Sequence, residues 1–316
     1  MRRVIFRALI ALMAVTSLSY AFNALLLHGL QQRHTGAFGQ WNRVRAGTIN
    51  AEVLFTGSSR CLMHFDAQVI GERTAMRCWN LGMDGSQPML QRPWLLTYLK
   101  YNPPPRLIVQ EVGALSLRTD SSVYYASQYA PYLAEDVVYD GLLSIDPAWW
   151  YDKHIPLHSF VRFGTGFTGM AIKGLFDLED TIDMLDHGYQ SRRWKSAAGF
   201  DRFQQRWPEG SRYPITPQGT TALVSIIHIA KKAGARIVLV YAPEFLDDTL
   251  PEPNRQEVLD VYDRIAREDS ILFRDFSVLP WCTDRRWFHD SQHLNSDGVA
   301  RLTSLLTDSV KVWIER

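Results

Sequence analysis

The chain has only three cysteines in 316 residues. That excludes a disulfide-built scaffold, and the odd number leaves at least one thiol unpaired within the chain. An excess of either charge is also missing: 34 Lys and Arg stand against 33 Asp and Glu, a net +1. This excludes a protein that holds nucleic acid by bulk basicity. Internal repeats and low-complexity tracts are absent. With 46% hydrophobic and 21% charged residues, the sequence is that of a folding chain, long enough for one large domain or two small ones. Aromatic side chains are abundant: 10 Trp, 13 Tyr and 15 Phe make up 12% of the residues.

Charge is scarcest near the N-terminus, where residues 8–32 contain no Asp, Glu, Lys or Arg. The apolar part, Ala8 to Leu30, would span about 34 Å as a helix, enough for the hydrocarbon core of a bilayer. Arg2, Arg3 and Arg7 precede it, which orients the N-terminus to the cytoplasm and the rest outward. Residues 1–33 are therefore expected to form an uncleaved signal-anchor. Two rival readings stay open: a signal peptide cleaved after Ala21 at Ser19-Tyr20-Ala21, and a buried helix of a soluble protein. Beyond the leader, residues 34–316 hold 30 basic and 33 acidic side chains, so the outer part is slightly acidic.

The remainder alternates between short apolar runs and helical stretches. Strands are predicted at Glu52–Thr56, Cys78–Gly82, Leu107–Val112, Ala235–Tyr241 and Ile271–Phe276. Helices are predicted at Arg60–Ile70, Gln87–Lys100, from Thr216-Pro217 to Ala233, Asn254–Asp269 and from a capping Ser296 to Trp313. The alternation implies an α/β domain with a parallel sheet covered on both faces, over residues 50–316. In such sheets ligands bind beyond the carboxyl ends of the strands. Strand signals nearly vanish over residues 115–215, which hold 18 of the 38 aromatics; this stretch reads as a partly helical insert.

Two strand ends concentrate chemistry. Gly57-Ser58-Ser59-Arg60 follows the first strand, where a serine entering a helix exposes its hydroxyl beside free backbone N–H groups. The same residues also suit a plain turn with a capping serine. Phe288-His-Asp-Ser-Gln-His-Leu-Asn-Ser-Asp-Gly298 follows the fifth strand. There Asp290 and His293, three apart, can touch, so that the carboxylate holds one ring nitrogen and leaves the other as a base. A surface turn with a capping aspartate is the alternative. His289, Asp290 and His293 also have metal-like spacing, but no further ligand cluster accompanies them, and neither metal nor cofactor is expected.

Gly-x-Ser after the first strand, Asn80-Leu-Gly-Met-Asp-Gly85 after the second and Asp290-x-x-His-Leu-Asn-x-x-Gly298 together resemble the SGNH/GDSL hydrolase superfamily. The resemblance covers residues 51–114 and 217–316. It implies a flavodoxin-like, three-layer parallel sheet and a triad of Ser59 as nucleophile, His293 as base and Asp290 as orienting acid, with Ser58 as the less favoured nucleophile. It implies an oxyanion hole from the backbone N–H groups of Ser59 and Gly85, with Gly82 as the alternative glycine. An asparagine is expected after the third strand, where this chain has Ala114; loss of such a donor costs about 3–4 kcal/mol of transition-state stabilisation. Gln110 is the nearest amide. Glu111 is either a strand-end group facing the site or the partner of an arginine.

The N-terminal span and the nonstandard third block are similar to the membrane-anchored proteins of cell-surface O-acylation, such as alginate O-acetylation and teichoic acid D-alanyl transfer proteins. That resemblance implies a bacterial inner-membrane location with the catalytic domain in the periplasm or outside the cell. It also implies a multispan membrane-bound O-acyltransferase as partner and a carbohydrate polymer as substrate. The other readings are an esterase of carbohydrates or lipids and a non-catalytic subunit of a polysaccharide assembly complex.

Residues 191–213 combine Arg192, Arg193, Trp194, Lys195, Phe200, Arg202, Phe203, Arg206, Trp207, Arg212 and Tyr213. Aromatic faces suit sugar rings and guanidinium groups suit carboxylates or phosphates. Arg60, Arg193, Trp194 and Trp207 are thus the expected substrate contacts, although core packing and solvation explain the same pattern. Trp149-Trp150-Tyr151 suits either a core or a membrane-interface belt. Cys61, Cys78 and Cys282 read as buried thiols, with an outward disulfide left open.

Overall fold

The computed structural model describes residues 1–119, 121–178, 185–190, 200, 205, 209–246 and 252–315. The chain divides into two compact units, residues 1–43 with 125–183, and residues 44–124 with 184–316. The aromatic-rich insert expected over residues 115–215 is thus divided: 125–183 groups with residues 1–43, and the rest of it with the larger unit.

The larger unit is built on a five-stranded parallel sheet: β1 (Val53–Thr56), β2 (Cys78–Asn80), β3 (Leu107–Val112), β4 (Arg236–Tyr241) and β5 (Leu272–Asp275). The spatial order is β2-β1-β3-β4-β5, the flavodoxin-like order of a doubly wound α/β fold. All six residues of β3 are buried, as a strand covered on both faces requires. Val53, Phe55, Leu107, Val109, Val238 and Val240 pack into a core with Ile70, Leu302, Leu306 and Val310. The alternate residues face the other way: Gln110 Nε2 bonds Gln91 Oε1 at 2.9 Å, on the helix Pro88–Tyr101, which packs on the helix Pro217–Lys232.

Local chemistry sets the helix ends. Thr216 Oγ1 accepts from Gly219 N at 3.1 Å, and Pro217 opens the helix. Two helix expectations change. The run read as one helix from Arg60 to Ile70 is two, Ser59–His64 and Ala67–Thr74, because Asp66 Oδ1 accepts from Val69 N at 3.1 Å and starts a new turn. The last helix, Ser296–Glu315, is capped by Asn295 rather than Ser296: Asn295 Oδ1 accepts from Asp297 N at 3.1 Å and Gly298 N at 3.0 Å.

The smaller unit is helical. It contains the helix Arg2–Gln31, a 3-10 turn Ala126–Tyr132 and the helices Asp136–Leu143, Trp149–His154 and His158–Leu175. Arg2–Gln31 is long and apolar enough to cross a membrane, and its most apolar 18-residue window has no buried residue. Many of the aromatics are its packing: Trp41 stacks on Tyr132 with ring centroids 4.8 Å apart, and Phe160 meets Phe167 at 4.9 Å.

Candidate active site

Ser59 is the first residue of its helix, directly beyond β1, and Ser58 is the cap. The two hydroxyls have different partners. Ser58 Oγ accepts from Arg60 N at 3.3 Å and donates to Glu111 Oε2 at 2.8 Å, and Ser58 N donates to the same carboxylate oxygen at 2.8 Å. Ser59 Oγ lies 2.9 Å from His293 Nε2. His293 Nδ1 lies 2.9 and 3.1 Å from the two oxygens of Asp290. Asp290 Oδ1 also accepts from Gln292 N and His293 N, each at 2.9 Å. Burial pushes the Asp290 carboxyl up, but these hydrogen bonds and the nearby His293 outweigh it and hold the pKa down to about 2. An ionised Asp290 fixes the proton on Nδ1, which leaves Nε2 to accept the Ser59 proton.

The loop carrying Asp290 and His293 is pinned from both sides. Phe288 and Leu294 form an antiparallel bridge across it, and His289 N donates to His293 O at 2.7 Å. Leu294 N donates to His64 Nε2 at 3.0 Å, so the Ser59 helix holds the histidine loop directly. The His64 ring is edge-on to the His293 ring, 6.0 Å between centroids. Burial first, then the neighbouring His293 ring and the Arg60 guanidinium, keep the His64 pKa well below its ordinary value, so it stays neutral and accepts that bond.

Around Ser59 lies a cavity of about 130 Å³ whose lining includes Arg60, Gly85, Ala114, Tyr213, Glu244 and Gln292. Gly85 has φ +65°, a left-handed conformation that suits glycine. Its N–H has no hydrogen-bond partner among the described residues, and the same holds for Ser59 N–H at the helix start. The rival Gly82 N–H is taken: it donates to Asn80 Oδ1 at 2.7 Å. Ala114 lines the cavity without a side-chain donor. Gln110 does not replace it, because its amide is turned to the opposite sheet face and bonded to Gln91, Thr56 and the Glu111 carbonyl.

Arg60 is buried beside this cavity and pairs with two carboxylates, Glu244 through Nη1 at 2.7 Å and Glu111 through Nε at 3.2 Å. The second contact is an ion pair without hydrogen-bond alignment, which leaves Glu111 Oε1 buried and without a hydrogen bond. Burial alone would lower the Arg60 pKa; Glu111 and Glu244 more than offset it, and the guanidinium is held charged. Glu244 Oε1 accepts from Tyr241 OH at 2.7 Å. Glu111 therefore does both things considered for it: it faces the site through Ser58 and pairs with an arginine.

Of the other expected substrate contacts, Arg193, Trp194 and Trp207 lie outside the described residues, as do Arg192, Lys195, Arg202, Phe203 and Arg206. Tyr213 lines the cavity and donates to Glu252 Oε1 at 2.6 Å. Phe200 packs edge-on against Phe245, and Arg212 is an exposed partner of Glu257. Trp149 is fully buried, whereas Trp150 and Tyr151 are exposed. The three cysteines are buried and unpaired. His64 and Glu244 were not found from sequence. A charged residue just past an apolar strand, as in Tyr241-Ala-Pro-Glu244, was the available signal for one of them; nothing local marks His64.

No family model matches the chain, and no curated protein matches it. Among solved structures it is similar to a Bacteroides fragilis protein provisionally described as an acylhydrolase, at 12% identity and a TM-score of 0.41, over 90% of this chain and 96% of that one.

Proposed function

We propose that the chain is a serine-dependent acyl-transfer enzyme, anchored by Arg2–Gln31 with its α/β unit outside the cytoplasm, that O-acylates a cell-surface polysaccharide. The observation that carries this reading is the hydrogen-bonded series Ser59 Oγ–His293 Nε2–Nδ1–Asp290, 2.9 Å at each link. His293 takes the Ser59 proton as Oγ attacks an acyl carbonyl, while the developing oxyanion faces the Ser59 and Gly85 N–H groups. The carbonyl reforms, the leaving oxygen receives the proton from His293, and an acyl-serine ester results. A sugar hydroxyl then loses its proton to His293 and attacks the ester, giving the acylated sugar and restoring Ser59. Water in the same position gives an esterase.

The dimensions of the cavity favour a small acyl group. At about 130 Å³ it falls well below the roughly 300–1,000 Å³ of sites for drug-sized ligands, which suits an acetyl group better than a fatty chain. A single apolar span has no path for an acyl group through a bilayer, so this reading requires a multispan donor protein in the membrane. The positive leader Arg2, Arg3 and Arg7 supports the outward orientation.

A fluorophosphonate probe tests the carrying observation. The full chain should be labelled at Ser59, and Ser59→Ala should abolish labelling. His293→Ala should slow it by a factor on the order of 10³ or more, as expected when a base that activates a serine is removed. A wild-type chain that stays unlabelled would refute the reading. With an acetyl ester and an oligosaccharide supplied together, acetylated sugar supports transfer, and free acetate alone supports the esterase.

A further inference from the structure

The helix Arg2–Gln31 is bare over one part of its length and partly covered over the other. Every residue from Met1 to Leu18 is exposed, and Ser19 is the first with partial cover. Of these, Ala8–Leu18 carry no charge and rise about 16 Å, so a hydrocarbon core of roughly 30 Å that begins beyond Arg7 runs on to about Leu27. Cover begins where the segment 154–157 arrives. Tyr20 OH donates to the His154 carbonyl at 2.9 Å, and Asn23 Oδ1 accepts from Leu157 N at 2.9 Å. Leu26, Gly29 and Leu30 follow as buried residues. A bilayer entered beyond Arg7 therefore extends past Tyr20, Phe22 and Leu25, which are still exposed, and takes in the level at which the 154–157 segment meets the helix.

The residues flanking that segment expose an apolar and aromatic surface. Trp150 is 47% exposed, Tyr151 52%, Ile155 43% and Val161 82%. The charged neighbours turn elsewhere. Asp152 is buried and bonded to His158, Ser159 and Arg162; Lys153 lies 3.7 Å over the Tyr139 ring. Trp and Tyr, with an apolar ring and a polar edge, are the residues that accumulate at the headgroup level of membranes.

We propose that Trp150, Tyr151, Ile155 and Val161 form a foot set in the leaflet far from Arg2 of the bilayer entered by Arg2–Gln31, a second membrane contact beside the span. The occupant of this face is lipid rather than protein because it continues the lipid-facing surface of the helix, to which hydrogen bonds at Tyr20 and Asn23 fix it within the roughly 30 Å that begins beyond Arg7. The proposal rests on the helix spanning the bilayer and is independent of the chemistry at Ser59.

The test is nitroxide accessibility in the full-length chain, reconstituted in nanodiscs of phosphatidylcholine and phosphatidylglycerol. Labels are placed at V161C and, separately, W150C, with L12C in the bare stretch and S309C on the exposed face of the last helix as references. The native thiols are buried, and the unsubstituted chain measures any background labelling. The foot predicts that V161C and W150C are severalfold more accessible to oxygen, relative to a water-soluble nickel chelate, than S309C, at values between those of S309C and L12C. If L12C reads as hydrocarbon while V161C and W150C match S309C, the proposal is overturned and the span stands. If L12C itself reads as aqueous, the span fails and the foot with it. Spin–spin broadening at V161C that disappears on dilution with unlabelled chain assigns the face to a second copy and also overturns the proposal.

Discussion

Ser58 and Ser59 are adjacent, chemically identical and held in different networks. Ser58 caps its helix and ties it to Glu111, whereas Ser59 reaches the histidine loop. Ser58→Ala should lower unfolding free energy by about 1 kcal/mol through the lost cap, read as a drop in urea midpoint, while fluorophosphonate labelling of Ser59 persists. Loss of labelling in Ser58→Ala with labelling retained in Ser59→Ala would exchange the two assignments. The contrast marks what a sequence can carry at this scale. Asp290 and His293 are three residues apart, and their contact is a property of one loop. His64 meets Leu294 across 230 residues and Arg60 meets Glu244 across 184; only the fold brings them together, and no local pattern encodes either.

Among the elements, the carboxyl end of β3 shows how backbone and side chain share space. Gly113 follows the strand, and a Cβ there would lie 1.3 Å from Arg60 Nη2. Gly113→Ala should therefore push the guanidinium off Glu111 and Glu244. Breaking a buried ion pair costs about 3–5 kcal/mol, so denaturant unfolding of the variant should show a loss of that order, and a stability within about 0.5 kcal/mol of wild type, the usual range for a harmless substitution, would mean that the arginine relocates without cost. The strands β1, β3 and β4 were legible because each carries three or more consecutive apolar residues and ends at glycine or a turn, as in Val53-Leu-Phe-Thr56 before Gly57; β2 and β5 have only two each, in Cys78-Trp-Asn80 and Leu272-Phe-Arg-Asp275. Helix ends were less so. Asn295 and Ser296 are both good caps side by side, and only the folded backbone shows that Asn295 Oδ1 is the acceptor for Asp297 N and Gly298 N. Likewise Asp66 reads as a residue inside a helix until its side chain is seen to start one.

For the whole molecule, one contribution to the pH dependence of stability comes from a half-buried acid, Glu252. Burial first, then the charge of Glu244, raise the Glu252 pKa from 4.5 to about 7. The folded state thus binds a proton more tightly than the unfolded state, so this group's contribution is fully present below the unfolded pKa and is lost as pH rises toward 7. Unfolding free energy should fall by on the order of 3 kcal/mol across that window, and Glu252→Gln should flatten the profile in thermal melts between those limits. An unchanged profile in the variant would assign the pH dependence to another group. The charge balance that looked neutral over the full sequence is composed at this scale of a basic leader, a slightly acidic remainder and, beside Ser59, one arginine between two glutamates. Composition alone resolves the first two and is silent on the third.

The three thiols have a use unrelated to chemistry at Ser59. Burial drives the Cys61 pKa well above its ordinary value and those of Cys78 and Cys282 up to about 12, so each is protonated and shielded in the folded chain. They sit in the helix of Ser59, in edge strand β2 and in the turn Pro280–Thr283 that leads to the histidine loop. An alkylating reagent meets each one only when its own segment breathes open. The rate at each sulfur therefore clocks the local opening of the serine side, the sheet edge and the histidine side separately, without introducing a single substitution.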